Sequence, residues 1–364
     1  MISSEPIFFL DPQCACHPAK KIIPRYLKVM KQILQQLVQK QDLTTQRAGE
    51  VLSMLTNKEA NPIQISAILT ALKTKGETVD EMVGFINGMR NHMQTILSNN
   101  AIDVCGTGGD NSNTFNISTA VSFVVTGAGV KIAKHGNRAA SSNCGSADVL
   151  EELGINIMLA PKQAEEVLQK VGMVFLFAPI FHVSFKQVVM VRKTLGIPTI
   201  FNYLGPFTNP AKVKRQLIGV PNKIIAKKLA QVAAKLDYER LCIVTSEDGL
   251  DELSLGSKNT VYQIEGKTIK HFTLNPQKLG FVKVAKSQLF GGDKQTNAQI
   301  ILSVLQGEKS PYRDVVVLNA AMALYVAGKA ENIKKGIKQA EKSIDSGKAV
   351  TALQNLQKET QTYA

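Results

Sequence analysis

Short apolar runs alternate with amphipathic helical patterns from residue 101 onward, and few architectures can accommodate this alternation. The runs predicted as strands cover residues 101–104, 130–133, 155–159, 174–177, 216–220 and 241–244. The helices predicted between them cover residues 118–128, 146–153, 162–171, 185–195 and 223–236. Strands that alternate with helices favour a mainly parallel sheet with helices on both faces. The sequence therefore predicts an α/β fold whose central sheet is flanked by helices.

The ends of the chain carry mostly helical patterns. Before residue 100 there are apolar residues at helical spacing and one capping box, Thr78-Val-Asp-Glu81. After the sixth strand, we predict a strand pair at 260–265 and 270–274, followed by helical patterns at 298–305, 315–330 and 333–356. We therefore divide the chain into an N-terminal extension (1–24), a small all-helical domain (25–98) and a larger α/β domain (99–364). The helix near 182–197 is a candidate to pack on the helical domain.

The composition is that of an ordinary globular chain, with 364 residues of which 44% are hydrophobic and 20% charged. No apolar stretch approaches the roughly 18–20 residues that span a bilayer. The first residues lack the basic start of a signal peptide, so we expect a cytoplasmic protein. Five cysteines without framework spacing agree with a reducing compartment. Cys14, Cys16 and His17 could form half of a metal site, but no second pair follows at a suitable spacing.

The net charge of +14 indicates an anionic partner. The densest basic region comprises Lys212, Lys214, Arg215, Lys223, Lys227 and Lys228. A polyphosphate substrate and a nucleic acid both fit this charge. Trp is absent, and no aromatic residues alternate with the basic ones as they do on a surface that binds single strands. Nucleic-acid binding is therefore the secondary alternative.

A glycine-rich loop follows the first predicted strand. The segment 103–110 reads DVCGTGGD, and Asn116-Ile-Ser-Thr119 then opens a helix. Glycines let backbone N–H groups approach an anion, and a helix N-terminus favours phosphate. The loop has neither the Gly-Lys-Ser/Thr ending of a Walker loop nor the spacing of a dinucleotide fingerprint. The alternative is a glycine-rich turn followed by a helix cap.

A second polar loop follows the next strand. It begins with Lys134-His-Gly-Asn-Arg138 and continues to another helix start at 145–148. Lys134 supplies a point charge for phosphate, Arg138 a planar fork, and Asn137 both a donor and an acceptor. One basic loop is usually a solvated turn. Two such loops at the carboxyl ends of consecutive strands, however, are expected to meet in one crevice.

Acidic residues follow the sixth predicted strand, in Ser246-Glu-Asp-Gly-Leu-Asp-Glu252. Asp251 and Glu252 beside a phosphate crevice suit Mg²⁺, which takes one or two carboxylates together with water and substrate phosphates. An exposed acidic turn is the alternative.

An apolar and aromatic segment carries His182, and Arg192 stands on the helix that follows. The segment 199–210, TIFNYLGPFTNP, comes next. Together these residues would line an apolar slot with one cation, which is what an aromatic carboxylate needs. Taken separately, His182 would be a structural residue and Arg192 would only complement its helix dipole.

The strings CGTGGD, NIST, KHGNR, GSADVLEELG, TIFNYLGPFTNP and DGLDE, in this order, resemble the anthranilate phosphoribosyltransferase family. The resemblance spans roughly residues 25–360 and includes QISAILTALKTKGETVDEMVGFINGMR and LFGGDKQTNAQIILSVLQG. It implies transfer of the 5-phosphoribosyl group of phosphoribosyl pyrophosphate (PRPP) to the amine of anthranilate. The products would be N-(5-phospho-β-D-ribosyl)anthranilate and pyrophosphate, in the second step of tryptophan synthesis from chorismate. It also implies a hinge between the two domains, two Mg²⁺ ions, and a homodimer formed through the helical domains.

The resemblance also implies roles for individual residues. The PRPP-binding set would be Gly106, Gly109, Asp110, Thr114, Asn116, Ile117, Ser118, Thr119, Lys134, His135, Gly136, Asn137, Arg138, Ala139, Ala140, Ser141, Ser142 and Ser146. The anthranilate-binding set would be Gly106, Asn137, His182, Arg192, Gly205 and Pro206. The metal ligands would be Ser118, Asp251 and Glu252. No residue is assigned to acid–base catalysis, because a neutral aromatic amine has an available lone pair. Positioning and electrostatics are expected to carry the reaction.

Four residues depart from the pattern of the family. Val183 and Ser184 stand where Pro-Ala is common, Met190 where proline is usual, and Pro198 where arginine is frequent. These differences concern the outer part of the anthranilate channel. Two other classes are also compatible with the sequence: a pyrimidine nucleoside phosphorylase-like enzyme and a paralogue that binds nucleic acid. The KHGNR string, Arg192 and the DGLDE string favour the transferase.

Overall fold

The protein is described by a computed structural model that covers residues 25–57, 60–110, 112–139 and 144–364. Four helices precede the first strand in this part of the chain. They are α1 (Arg25–Val38), α2 (Thr45–Leu55), α3 (Pro62–Lys75) and α4 (Val79–His92). The predicted capping box opens α4, because Thr78 and Glu81 each accept the other's backbone N–H. The predicted extension, with Cys14, Cys16 and His17, lies outside the described residues.

Seven strands form a single sheet within the described residues. They are β1 (Ile102–Gly106), β2 (Ile132–Gly136), β3 (Met173–Phe177), β4 (Arg215–Gly219), β5 (Arg240–Ser246), β6 (Asn259–Glu265) and β7 (Thr268–Leu274). The order is β3-β2-β1-β4-β5-β6-β7, in which the first five strands are parallel and the last two antiparallel. The predicted fold class is thus confirmed. Strand order changes direction between β1 and β4, and open α/β sheets bind ligands at such a switch point.

Helices cover both faces of the sheet. After the first strand they are α5 (Ile117–Gly127), α6 (Ser146–Glu152), α7 (Pro161–Val171), α8 (Ala178–Phe181), α9 (Lys186–Leu195), α10 (Phe201–Leu204), α11 (Lys223–Ala233), α12 (Lys294–Leu305), α13 (Pro311–Val326), α14 (Ile333–Asp345) and α15 (Lys348–Gln361). One apolar core includes α5, α13 and α15. A second core joins α2, α3 and α4 to α9, α10 and α11. No described helix has the length and hydropathy that crossing a membrane requires.

Two sequence predictions differ from the structure. Residues 155–159 form no strand, so that prediction was wrong. Ile155, Ile157 and Leu159 are buried and Met158 is 60% exposed, which is the alternation that a strand would show. The Asn156 amide, however, donates to the carbonyl of Tyr363 at 3.2 Å, so the segment packs on the C-terminal helix instead of pairing with β3. The helical pattern at 333–356 is two helices, which Ser346 and Gly347 separate.

Candidate active site

A cavity of about 420 Å³ lies at the carboxyl ends of β1 and β2. It is lined by the two predicted phosphate loops, by the start of α5, and by two acidic residues that follow β5. Of the predicted PRPP set, the lining includes Gly106, Gly109, Asp110, Thr114, Asn116, Ile117, Ser118, Thr119, Lys134, His135, Gly136, Asn137, Arg138, Ala139 and Ser146. Ala140, Ser141 and Ser142 lie outside the described residues. The two loops meet in one crevice, as the strand order requires.

The glycine-rich loop is held against Asp251. The N–H of Gly108 donates to Asp251 Oδ2 at 2.8 Å. A Cβ atom on Gly106 would lie 2.2 Å from the same oxygen, so the end of β1 must be a glycine for Asp251 to approach. Gly109 has φ +77°, and a Cβ atom there would meet nothing within 4 Å. The loop therefore leaves open space in front of Gly109, where a phosphate oxygen can approach the backbone.

The start of α5 faces the cavity without a side-chain cap. Asn116 makes no capping hydrogen bond, and its amide Nδ2 instead donates to the carbonyl of Cys144 at 3.1 Å. The alternative interpretation was a glycine-rich turn followed by a helix cap. Its second part, the helix cap, is wrong, because Asn116 makes no capping hydrogen bond. Ile117, Ser118 and Thr119 line the cavity from the first turn of α5. The N–H groups and the dipole of this turn favour an anion.

Lys134 lies deeper than a phosphate-binding lysine on a solvated loop would. The side chain is 2% exposed, and Nζ donates to the carbonyl of Val104 at 2.7 Å and to Ser118 Oγ at 3.1 Å. Burial lowers the pKa of the ammonium group, while the Asp103 carboxylate opposes this change. Since an ammonium has three donors, one remains for a ligand. Lys134 thus fixes the Ser118 hydroxyl and places a positive charge in the wall of the cavity.

Arg138 is occupied by acidic partners. Its guanidinium pairs with Asp148 at 3.0 Å and with both carboxylate oxygens of Glu151, at 2.5 and 2.9 Å. Hydrogen bonding to Glu151 raises the pKa of Arg138 further. The Arg138 guanidinium, which was predicted from the sequence to bind phosphate, is therefore directed to α6, although Arg138 still borders the cavity.

Three carboxylates gather on one side of the cavity. Asp110, Asp251 and Glu252 each offer an oxygen, and these oxygens lie within 4.8 Å of one another. Burial, and then the Asp110 carboxylate, raise the pKa of Asp251 to about 6. Burial and the adjacent Asp251 raise the pKa of Glu252 well above its usual range. Asp110 Oδ2 and Glu252 Oε2 are buried and have no hydrogen-bond partner among the described residues. A divalent cation would satisfy these oxygens, so the donor set fits Mg²⁺.

The predicted anthranilate residues lie only partly in this cavity. Gly106 and Asn137 line it, whereas His182, Arg192, Gly205 and Pro206 are absent from its described lining. The ring of His182 lies 5.1 Å from that of His135, which does line it. Burial lowers the pKa of His182 to about 4 and that of His135 to about 3, so both rings are neutral near neutral pH. A neutral ring can accept or donate a hydrogen bond but attracts no carboxylate by charge.

Arg192 reaches the cavity through a neighbour. Its Nη2 lies 3.4 Å from Oδ1 of Asn202, which lines the cavity, and its guanidinium lies 5.4 Å from the centre of the Phe201 ring. Burial lowers the pKa of Arg192. No carboxylate pairs with Arg192 within the described ranges. Arg192 is therefore a partly buried cation that lies over the Phe201 ring and has no ion-pair partner among the described carboxylates.

The four departures from the family pattern lie at the surface. Val183 and Met190 are each 60% exposed, Pro198 is exposed, and Ser184 Oγ donates to the carbonyl of His92 at 3.3 Å. None of the four lines the described cavity.

Sequence reasoning missed several lining residues. They are Cys105, Thr107, Gly108, Ser112, Asn113, Phe115, Cys144, Gly145 and Asn202. Most stand between predicted residues of the same loops, so the polar and glycine-rich composition of those loops was a usable signal. Cys144 also lies between predicted residues of the second loop, and Asn202 lies in the segment 199–210 that was predicted to line the slot, so only the place of Asn202 in this particular cavity depends on the fold. Asp110 was predicted for PRPP alone, and its place among the carboxylates also depends on the fold.

The fold and the cavity define a class of glycosyl transferases. The α/β-domain profile of the glycosyl transferase family ("Glycosyl transferase family, a/b domain") matches residues 98–350. The helical-bundle profile ("Glycosyl transferase family, helical bundle domain") matches residues 31–93. Among solved structures, the anthranilate phosphoribosyltransferase of Thermus thermophilus superposes with a TM-score of 0.85 at 34% identity, over 90% of this chain and 99% of that one.

The curated relatives narrow the class. The anthranilate phosphoribosyltransferase of Pelotomaculum thermopropionicum is 46% identical over 330 residues, which is 90% of this chain and 96% of the relative. That of Thermomicrobium roseum is also 46% identical, over 89% and 95% of the two chains. The Saccharomyces cerevisiae enzyme in complex with PRPP and Mg has a TM-score of 0.85 at 30% identity, over 92% and 98%. The chain belongs to the anthranilate phosphoribosyltransferase family.

Proposed function

We propose that the chain transfers the 5-phosphoribosyl group of PRPP to the amine of anthranilate and releases pyrophosphate, the second step of tryptophan synthesis from chorismate. The observation that carries this conclusion is the meeting of two phosphate loops and three buried carboxylates in one cavity. The family relationship gives the reaction, and the cavity contains the groups that a magnesium-dependent polyphosphate substrate requires.

PRPP would lie along the two loops. Its pyrophosphate would face Gly109 and the first turn of α5, where backbone N–H groups and the helix dipole favour negative charge. Asp251 and Glu252, together with Ser118 and Asp110, would hold Mg²⁺. We propose two ions in each site, because three carboxylates exceed what one partly hydrated Mg²⁺ usually takes from a protein. When bound, Mg²⁺ would neutralise part of the charge on the pyrophosphate.

The chain acts on the reaction through position and charge. As the bond to pyrophosphate breaks, negative charge grows on the leaving group, and the buried Lys134 and the start of α5 stabilise it. The neutral His135 and His182 add no charge of their own. The amine of anthranilate needs no base before it attacks, because its lone pair is free at neutral pH. The ammonium that forms as the C–N bond replaces the bond to pyrophosphate then loses one proton, which water or the leaving pyrophosphate can accept. Anthranilate would sit near Asn137, His182 and the Gly205–Pro206 segment, with its carboxylate toward Arg192.

The function is tested by incubating the protein with anthranilate, PRPP and Mg²⁺ and following the loss of anthranilate fluorescence. Phosphorolysis of a pyrimidine nucleoside without anthranilate turnover would favour the phosphorylase alternative. Nucleic-acid binding without either activity would favour the paralogue. The basic region gives the last alternative little support, because Lys214 pairs with Asp237 and Arg215 with Glu239. These acids neutralise part of its charge.

Replacing Gly109 by Val should abolish PRPP binding while the fold survives. The new side chain would fill the open space in front of residue 109 and block the approach of pyrophosphate to the backbone. Valine would also be strained at the positive φ that Gly109 adopts. In the parent, PRPP at about 100 times its Kd stabilises the folded state by about 2.7 kcal/mol, which melting experiments detect. Gly280→Val is the matched control, because Gly280 has φ +97° and open space outside the cavity. A variant at Gly109 that PRPP still protects as it does the parent would show that the loop is wrongly placed.

We also propose that the protein is a homodimer formed through its helical domain. Ile63 on α3 is 76% exposed, and Val189 and Met190 on α9 are 52% and 60% exposed. These helices pack against each other, and an interface that covered both would bury these exposed apolar side chains. Sedimentation should give a dimer for the parent and a monomer for Met190→Glu; a monomeric parent would exclude this assembly.

The free thiols of Cys105, Cys144 and Cys242 support a reducing, cytoplasmic location.

A further inference from the structure

A segment that is distant in sequence forms hydrogen bonds with the end of the first phosphate loop. Residues 289–293 precede α12, and Phe290 forms an isolated antiparallel bridge with Thr114. The N–H of Gly291 donates to the carbonyl of Asn113 at 2.8 Å, and the N–H of Phe115 donates to that of Leu289 at 3.1 Å. The loop that follows β1 is therefore paired with residues that lie about 180 positions further along the chain.

Asn297 links this support to the cavity. It lies in the first turns of α12 and is 2% exposed. Its Oδ1 accepts the N–H of Gly292 at 2.9 Å, and its Nδ2 donates to Asn116 Oδ1 at 3.1 Å. Asn116 lines the cavity, and its own Nδ2 donates to the carbonyl of Cys144 at 3.1 Å. Cys144 belongs to the end of the second phosphate loop, just before α6.

The direction of this chain of hydrogen bonds is fixed at both ends. Gly292 offers a backbone N–H, which only an oxygen of Asn297 can accept, so the Asn297 amino group must face Asn116. Cys144 offers a carbonyl, which only the amino group of Asn116 can satisfy. Each amide therefore has one allowed orientation. Exchanging oxygen and nitrogen in either residue would place two acceptors or two donors against each other, which is costly for buried groups.

We propose that Asn297 is a positioning residue for PRPP, which holds the Asn116 amide in this one orientation and so keeps the two phosphate loops in register. The proposal rests on the proposed function, since it assumes that PRPP occupies these loops. Asn297 does not line the cavity, so it acts through Asn116 and contacts no substrate. It has no corresponding link to Arg192, His182 or Pro206 among the described contacts.

The decisive variant is Asn297→Asp. The carboxylate still accepts the Gly292 N–H, but it faces Asn116 Oδ1 with an oxygen instead of an amino group. Asn116 must then turn its amino group away from Cys144, and the second loop loses its tie to the first. We expect the KM for PRPP to rise about tenfold, with kcat within about twofold of the parent and the KM for anthranilate unchanged. Equal changes in both KM values, or none, would overturn the proposal.

A double mutant separates positioning from a general structural role. If Asn297 acts through Asn116, Asn297→Asp should add nothing to the PRPP effect of Asn116→Ala. Additive effects would overturn the proposal. Asn156→Asp is the matched control, because Asn156 also donates from a half-buried amide to a backbone carbonyl, that of Tyr363, but lies away from the cavity. It should lower the melting temperature and leave the KM for PRPP unchanged. Should Asn297→Asp fail to fold, Asn297→Ser removes the same donor without adding charge.

Melting experiments test the role of Asn297 separately from the proposed reaction. PRPP with Mg²⁺ should raise the melting temperature of the parent, and Asn297→Asp should reduce that rise. If PRPP protects the parent but anthranilate is not consumed, the proposed function fails and the melting data alone decide the role of Asn297. If PRPP does not protect the parent, both fail. If both hold in the parent and the variant is indistinguishable from it, only the role of Asn297 is overturned.

Discussion

Changing Asp251 to Asn and Glu252 to Gln together should reduce magnesium-dependent turnover by about a thousandfold, while the metal-free protein stays at least as heat-stable as the parent. The loss is expected because the change removes the charged groups that we propose as Mg²⁺ ligands beside the pyrophosphate, an effect of several kcal/mol. The retained stability follows from geometry. Three carboxylates whose oxygens lie within 4.8 Å repel one another, and the amides relieve that repulsion without changing side-chain shape. A purely structural role would instead lower the melting temperature.

The measurement is a magnesium titration of turnover on the parent and the double variant, with melting curves taken in chelator. Glu247→Gln is the control, since Glu247 is an exposed carboxylate in the same acidic segment. It should leave the magnesium requirement unchanged. Turnover of the double variant that matched the parent across the titration would mean that Asp251 and Glu252 hold no catalytic metal and that this segment is only an acidic turn.

The second large effect is expected at Arg192, where Arg192→Ala should raise the KM for anthranilate by roughly ten- to a hundredfold and leave that for PRPP nearly unchanged. A charge-assisted, paired hydrogen bond to a carboxylate contributes about 1.5–3 kcal/mol, which corresponds to this range. The guanidinium is partly buried on the Phe201 ring and has no carboxylate partner in the described part of the chain. An aromatic carboxylate stacked near it would supply the missing charge.

A competing explanation is that Arg192 only stabilises the end of α9, whose last turn also contains Lys193. That explanation predicts a lower melting temperature with normal anthranilate dependence. Lys193→Ala is the matched control, because it removes an exposed cation from the same turn without touching Phe201. Arg192→Lys, which keeps the charge but not the planar fork, should fall between parent and Arg192→Ala. Equal loss of affinity for both substrates would remove Arg192 from the anthranilate site.

The sequence predicted most of the strands because their signal is local. Each parallel strand is a short apolar run between a helix and a polar loop, and β1 to β5 begin and end within about three residues of the predicted positions. The prediction at 155–159 failed because alternating burial has two causes. Ile155, Ile157 and Leu159 are buried in the apolar core although their segment pairs with no strand, and periodicity alone does not distinguish such a segment from a strand.

The site was predictable to the extent that its residues lie in the same loop. Gly109 and Asn116 belong to one glycine-rich segment, so composition and the following helix were sufficient to single them out. The contacts between segments could not be predicted in this way. The bond from Gly108 to Asp251 and the bond from Asn297 to Asn116 each join residues more than 140 positions apart. The pairing of Arg138 with Asp148 and Glu151 on α6 could not be predicted either, because the sequence does not distinguish an arginine with acidic partners from one without them.

The apolar core that joins α2, α3 and α4 to α9, α10 and α11 limits how this protein can evolve. Phe85 on α4 packs edge-on against Phe201 on α10, and the guanidinium of Arg192 covers the same Phe201 ring. The helices before the first strand therefore share their buried surface with the rest of the chain, and Phe201, which they contact, is next in sequence to Asn202 in the lining of the cavity. Such a unit cannot be exchanged between genes as an independent module. A substitution in α4 that altered Phe85 would require compensation near Phe201, so the two parts must change together.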